Sequence, residues 1–335
     1  MRPCQTTLSI VACFAILFGM AACGGSTPAA GSGGGTKPAE GSGGGTKLIG
    51  FSMKNANNPF FKVIADNLED EAVEYGYTVQ IVSGEEDVNV QRGQIKDWIA
   101  QQASAIVLNP VDSKAIGPAI REANEAGIPV FTCDLACTDP EAKVVTHIAT
   151  DNYQGGTLAG EEMVRLLGEA GGQVLVLDLK SAESCVQRVA GFQAVVDAHN
   201  AEAEYPIEVV AQLESEGQKA RGYAATQDVL QSHPELDAIF AINDPAALGA
   251  HAALEKAGRA GQIPIIGFDG QLEGKRAILE GKIHADPIQF PDRMGRMTMT
   301  AIRAYFAGEE LESQTLIPSE LYTKADAEKD PELAE

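Results

Sequence analysis

The chain has 335 residues, enough for about two domains, and its 44% apolar and 21% charged composition excludes wholesale disorder. The formal net charge is -22, and residues 48–335 alone hold 22 basic against 46 acidic side chains. So acidic a body repels phosphate backbones, which argues against a nucleic-acid partner, and disfavours a polyanionic ligand unless a local basic pocket overrides the field.

Arg2 gives a positive start, and residues 8–20 (LSIVACFAILFGM) form an apolar run of 13 residues. A membrane span needs about 20, so this run reads as the core of an export signal. Met20-Ala21-Ala22-Cys23 resembles a bacterial lipobox, in which the chain is cut before the cysteine and its sulfur receives a diacylglycerol. Residues 1–23 are therefore expected to be a lipoprotein signal peptide with lipidation at Cys23; an ordinary cleaved signal is the alternative. Residues 24–47 are Gly/Ser/Thr/Pro with almost no apolar side chain, and GSGGGTK occurs at 31–37 and again at 41–47. Such a coil cannot bury apolar area, and its r.m.s. span of roughly 25–30 Å suits a tether between membrane and globular head.

Cys4 and Cys13 fall in the signal and Cys23 in the lipobox, which leaves Cys133, Cys137 and Cys185. An odd number in an oxidising compartment leaves at least one thiol unpaired. Cys133 and Cys137 are close enough in sequence to bridge, but spacing alone does not decide it. Without a partnering histidine cluster the three make a poor metal site, and no metal or cofactor is expected.

From residue 48 onward, short β-branched runs alternate with segments of helical period. Strands are predicted at 48–53, 78–82, 105–109, 130–134, 145–149, 174–178, 208–213, 238–243, 263–268 and 284–289. Helices are predicted at 60–75, 90–102, 115–126, 155–169, 188–200, 219–232, 246–257 and 292–307. Glycine stops follow several of them, as at Gly76, Gly127, Gly258 and Gly308. This alternation implies an α/β fold with parallel sheets covered by helices on both faces, and ten strands fit two sheets of five or six.

In open parallel sheets, ligands bind beyond the carboxyl ends of the strands. Those tips carry Lys54-Asn55-Ala56-Asn57-Asn58-Pro59-Phe60-Phe61, Asn109-Pro110-Val111-Asp112-Ser113, Asp134, Asp151-Asn152, Asn243-Asp244, Asp269-Gly270 and Gln289. Helix capping accounts for Asp112, Ser113 and Asp244 equally well. Amides and carboxylates at six or more tips in both halves suit polyol recognition, because each can take two hydrogen bonds from hydroxyls that donate and accept together. Aromatic rings such as Phe60 and Phe61 pack on the C–H face of a sugar.

These motifs, together with His147-Ile148-Ala149-Thr150-Asp151-Asn152, Phe240-Ala241-Ile242-Asn243-Asp244 and Gly267-Phe268-Asp269-Gly270, resemble the ribose-binding-protein-like solute-binding proteins of bacterial ABC transporters. The resemblance covers about 48–325. It implies a type I periplasmic binding protein fold: two Rossmann-like lobes with parallel sheets, joined by a three-segment hinge near 150–151, 289–290 and 318–319. The lobes would comprise 48–150 with 290–318 and 151–289 with 319–326, followed by an acidic tail at 327–335. It implies a monomer that captures a neutral monosaccharide or polyol and delivers it to a membrane permease. A sensory protein that presents its closed complex to a chemoreceptor or sensor kinase is the alternative.

The family's sugar ligands fall on Asn58, Phe60, Phe61, Asn109, Asp134, Arg188, Asn243, Asp269 and Gln289. Leu135 stands where the ribose site has an Arg, and Gly217 where it has a Phe. Two extra residues before Asn57 bring Lys54 near the cleft. Both Lys54 and Leu135 are therefore further candidates, and a ligand other than plain ribose is expected.

An enzyme finds little support. Gly270-Gln271-Leu272-Glu273-Gly274-Lys275 has three residues between its glycines rather than four, with Arg276 where a P-loop needs Ser or Thr. The five histidines show no metal-binding spacing. A transcriptional regulator of similar fold would need a basic helix-turn-helix before residue 48, where an export signal and tether stand instead.

Overall fold

The computed structural model describes residues 47–334, so the signal peptide, the lipidation at Cys23 and all but the last residue of the tether lie outside the described residues. Two six-stranded sheets organise the rest. The first contains β1 (Lys47–Met53), β2 (Tyr77–Ser83), β3 (Ala105–Leu108), β4 (Val130–Cys133), β5 (His147–Thr150) and β11 (Gln314–Ile317), in the order β11-β5-β4-β3-β1-β2. Every pairing in it is parallel.

The second contains β6 (Gly172–Asp178), β7 (Ile207–Glu214), β8 (Leu236–Ala241), β9 (Ile265–Ile266), β10 (Ala285–Ile288) and β12 (Glu320–Thr323), in the order β12-β10-β9-β8-β6-β7. Here the edge strand β12 runs antiparallel to β10, so the expected parallel sheets carry one antiparallel edge. Strands β3 and β4 are buried at every position, as central strands covered on both faces must be.

The two lobes are thus α/β with mostly parallel sheets. The order reverses beside β1 in one and beside β6 in the other, and the crevice at such a switch point is where open α/β sheets take ligands. The chain changes sheet between β5 and β6, between β10 and β11, and between β11 and β12.

Helix α1 (Pro59–Glu74) starts where the Asn58 side chain accepts from Phe60 N at 3.0 Å and proline occupies the first helical position. It packs against α9 (Pro291–Ala307), which follows β10. Helices α2 (Val88–Ala100) and α3 (Gly117–Glu125) complete the first lobe. In the second, α4 (Asn152–Leu167) and α5 (Glu183–Asn200) pack unusually close. A Cβ added to Gly191 would sit 2.1 Å from Tyr153 O, and one added to Gly156 the same distance from Arg188 O. That close approach fixes Arg188 deep in the second lobe. Helices α6 (Lys219–Ser232), α7 (Asp244–Lys256) and α8 (Leu272–Leu279) and the short α10 (Lys324–Ala327) follow.

The sequence reading misses β11, β12 and α8, and it starts α5 five residues late. Arg188 therefore lies in the second turn of its helix. Residues 327–334 are held against the second lobe: Tyr322 Oη donates to Asp330 Oδ2 at 2.7 Å, and Lys275 pairs with Asp330 at 3.0 Å and Glu332 at 2.6 Å. The three remaining cysteines are free thiols, and burial pushes Cys133 up to about 12.

Candidate functional site

The carboxyl ends of the two sheets face each other across a cleft. Hydrogen bonds join the lobes there, among them Ser113 N to Ser181 O at 3.1 Å, Glu183 N to Ser113 Oγ at 3.1 Å, and Gln218 Nε2 to Glu86 Oε2 at 2.9 Å.

The polar centre is built around Arg188. Its Nε donates to Asn152 Oδ1 at 2.8 Å, and its Nη1 to Ile242 O at 2.7 Å and Asp269 Oδ1 at 3.0 Å. The guanidinium lies 3.9 Å from the Phe268 ring centroid. Arg188 is thus a buried cation with a charged partner and an aromatic face, rather than a solvated residue at a helix start. Asp269 also accepts from Gln289 Nε2 at 2.6 Å and Gln271 Nε2 at 3.2 Å. Gln289 in turn accepts from Thr150 Oγ1 at 2.7 Å, so one chain of side chains runs from the first sheet to the second.

Asp134 ends β4 with a left-handed φ of 61°, held by its own N–H on Ile148 O at 2.8 Å. Its buried Oδ1 has no hydrogen-bond partner among the described residues. Burial pushes its pKa up to about 7, with Arg188 and Lys54 opposing the rise and Asp269 adding to it. Burial likewise raises Asp269, against the pull of Arg188.

A second pair of acids lies beneath. Asp244 and Asp286 are buried; Asp244 Oδ2 accepts from Gln271 N at 2.7 Å, and among the described residues the other three carboxylate oxygens have no hydrogen-bond partner. Burial raises both, Asp286 to about 6, and the neighbouring Asp286 carboxyl adds to the rise of Asp244.

A cavity of about 1060 Å³ opens between the lobes. Lys54, Asn58, Phe60, Phe61, Asp269 and Gln289 line it, as does Gly217. Phe60 and Phe61 meet edge to face at 5.6 Å. Asp134 lines a smaller neighbouring cavity of about 290 Å³ with Thr150, Asn152 and Ser184.

The expectation that all the named residues face one cavity needs correction for Asp134, which lines only the smaller space, and for Asn109, Leu135, Asn243 and Arg188, which line neither. Asn109 donates to Cys133 O at 2.5 Å, Asn243 caps α7 and donates to Gly217 O at 3.0 Å, and Leu135 is buried in the core. Arg188 sits behind the cavity and holds Asp269, which lines it.

Several contributors escape sequence reasoning. Asn152 and Thr150 belong to the quoted His147–Asn152 motif, but nothing in it ties them to Arg188 or Gln289. Asp286 lies in a strand, where a carboxylate reads as solvent-facing.

The profile of a family described as periplasmic binding protein domain matches residues 49–310. The chain belongs to this family. The ribose import binding protein of Escherichia coli is 31% identical over 276 residues, which cover 82% of this chain and 90% of that one. The D-apiose import binding protein of Actinobacillus succinogenes is 34% identical over 235 residues, covering 70% and 73%. Among solved structures, the Caulobacter myo-inositol binding protein bound to myo-inositol is similar with a TM-score of 0.79 and 25% identity, covering 87% of this chain and 97% of that one. The two relatives named for import are binding proteins of transport rather than enzymes.

Proposed function

We propose that this periplasmic binding protein is the exported, monomeric substrate-binding component of an ABC sugar transporter. It captures a neutral monosaccharide or polyol between its lobes and delivers it to a membrane permease. The observation that carries this reading is the Arg188–Asp269–Gln289 network with the unpartnered Asp134 oxygen beside it. Two acids and a cation, desolvated and drawn from both lobes, are what a multiply hydroxylated neutral ligand requires. Names of relatives that import ribose and apiose support the ligand class.

In this reading Asn58, Phe60, Phe61, Asp134, Asp269 and Gln289 contact the sugar, while Arg188, Asn109 and Asn243 hold the walls in place. The three changes of sheet act as the hinge, and the ligand favours the closed form because it binds both lobes. Leu135 and Gly217 point away from plain ribose: Leu135 offers no donor fork, and Gly217 has a φ of 63° that a bulky side chain adopts only under strain. Cys23 anchors the mature chain by its lipid, with residues 24–47 as tether.

A thermal-shift screen of the soluble head against pentoses, hexoses and inositols tests the reading. A true ligand stabilises by about 2.7 kcal/mol at a hundredfold excess over Kd, and a wholly silent panel contradicts the assignment.

A further inference from the structure

The cavity between the lobes holds about 1060 Å³. Pockets that enclose a drug-sized molecule run to about 300–1,000 Å³, and a single sugar ring is much smaller than such a molecule. The polar pair Asp269 and Gln289, bonded to each other at 2.6 Å, occupies one part of this space. The rest has a different chemistry.

From the first lobe come Pro59 and Val63, four apart on α1 and therefore on one face of it. From the second come Pro245 and Leu248, three apart on α7, and Leu272, the first residue of α8. Val63 is 37% exposed and Leu272 45%. Apolar side chains scattered singly over a surface are ordinary. These two belong to opposite lobes and line the same cavity, so they form the walls of an apolar groove continuous with the polar part. Gly217 lines the cavity as well, and its left-handed backbone at φ 63° keeps a bulky side chain out of that space.

The charges around the groove are engaged with one another. Lys219 pairs with Glu273 at 3.1 Å, Lys275 with Asp330 at 3.0 Å and Glu332 at 2.6 Å, and Asp292 with Arg296. Asp244 is buried against Gly274 and accepts from Gln271 N. A charged substituent on the ligand would therefore find its counter-ions taken, and a second sugar would bring hydroxyls against aliphatic walls. An apolar group loses nothing there and gains by leaving water.

From this we infer that the groove is a second subsite and that the ligand is a glycoside: its sugar lies at Asp269 and Gln289, and a neutral alkyl or aryl aglycone lies between Val63 and Leu272. The inference rests on the sugar reading above and names the class of sugar derivative the cleft takes. An aglycone touched by both lobes also favours the closed form.

The test is calorimetric titration of the soluble head with D-ribose, D-allose and D-apiose, each free and as its α and β methyl and phenyl glycosides. Each buried methylene is worth about fourfold in affinity, so for at least one sugar and anomer the phenyl glycoside binds about tenfold or more tighter than the methyl glycoside. Leu272→Asn and Val63→Asn change exposed positions and cut that ratio to less than about threefold. Phenyl glycosides no tighter than methyl ones, or a ratio that neither variant moves, overturns the second subsite. Free sugars that bind while every glycoside is rejected overturn it too and leave the proposed function standing. A head that binds neither the sugars nor their glycosides contradicts the proposed function, and the subsite falls with it.

Discussion

Asp134 and Asp269 belong to different sheets, yet both hold a left-handed backbone, at φ 61° and 106°, where a strand ends. Such conformations cost about 1–3 kcal/mol for an ordinary residue and persist where the surroundings over-determine them. Here backbone bonds do so: Asp134 N donates to Ile148 O at 2.8 Å and Asp269 N to Pro287 O at 3.1 Å. Both carboxyl groups are buried, one of them directly against Arg188.

That ion pair makes the first prediction. Asp269→Ala leaves the Arg188 guanidinium buried without a charged partner, so it lowers unfolding stability by about 3–5 kcal/mol, as urea titration will measure. Asp269→Asn keeps the shape and the hydrogen-bond acceptor and loses less. A D269A variant as stable as wild type would mean that Asn152 and Ile242 O suffice for Arg188.

The dependence on pH follows from buried groups of opposite sense. Asp134 is raised to about 7, so its contribution is full below the unfolded carboxylate range and is lost as pH rises through 7. Asp286, raised to about 6, acts in the same direction. His147 is lowered to about 4 by burial, so its contribution is present above its ordinary range and is lost as pH falls from about 6.5 toward 4. The two acids outweigh the one histidine, so these groups together lower stability as pH rises from about 5 to 7, with little further change toward pH 8. Asp134→Asn flattens this decline by about 1–2 kcal/mol, at 1.4 kcal/mol per pKa unit across the window. Denaturant midpoints at about pH 5 and 7 decide it; equal slopes in D134N and wild type would contradict the assignment.

Close packing of α4 on α5 is a separate test. Gly191→Ala places a methyl 2.1 Å from Tyr153 O, which forces the helices apart and moves Arg188 with them. A cost of about 1–3 kcal/mol in stability is expected, with a loss of sugar affinity. Unchanged affinity in G191A would show that Arg188 keeps its place without the close contact.

Thiol chemistry checks burial directly. Cys133 and Cys185 are buried and their pKa values raised, whereas Cys137 is half-buried. Iodoacetamide should label Cys137 first in the folded head, and Cys133 and Cys185 only after denaturation. Rapid labelling of Cys185 in the native protein would place it at an open surface.

Alternation of β-branched runs with helical segments made the parallel sheets legible, because central strands covered on both faces read as continuous apolar stretches. The edge strands β11 and β12 did not, being four residues each with exposed positions that break the run. Helix α5 has no side-chain cap at Ala182, so its first turn left no mark, and Arg188 seemed to stand at its start. The strand tips located the cleft but not the orientation of each amide. Asn58 and Asn243 precede prolines at helix starts, the same pattern that predicts capping, and both side chains do cap. Asp286 was silent because only packing shows that its strand position has no access to water.

The central claim is that a sugar is held between Asp134 of one lobe and Asp269 of the other. Calorimetric titration of the soluble head with the best ligand of the sugar and polyol panel, repeated on D134N and D269N, tests it most directly. Losing one charged hydrogen bond weakens binding by about tenfold to a few hundredfold, and that loss is expected in each variant separately. Wild-type affinity in both variants, or no heat of binding with any pentose, hexose or inositol, would contradict it.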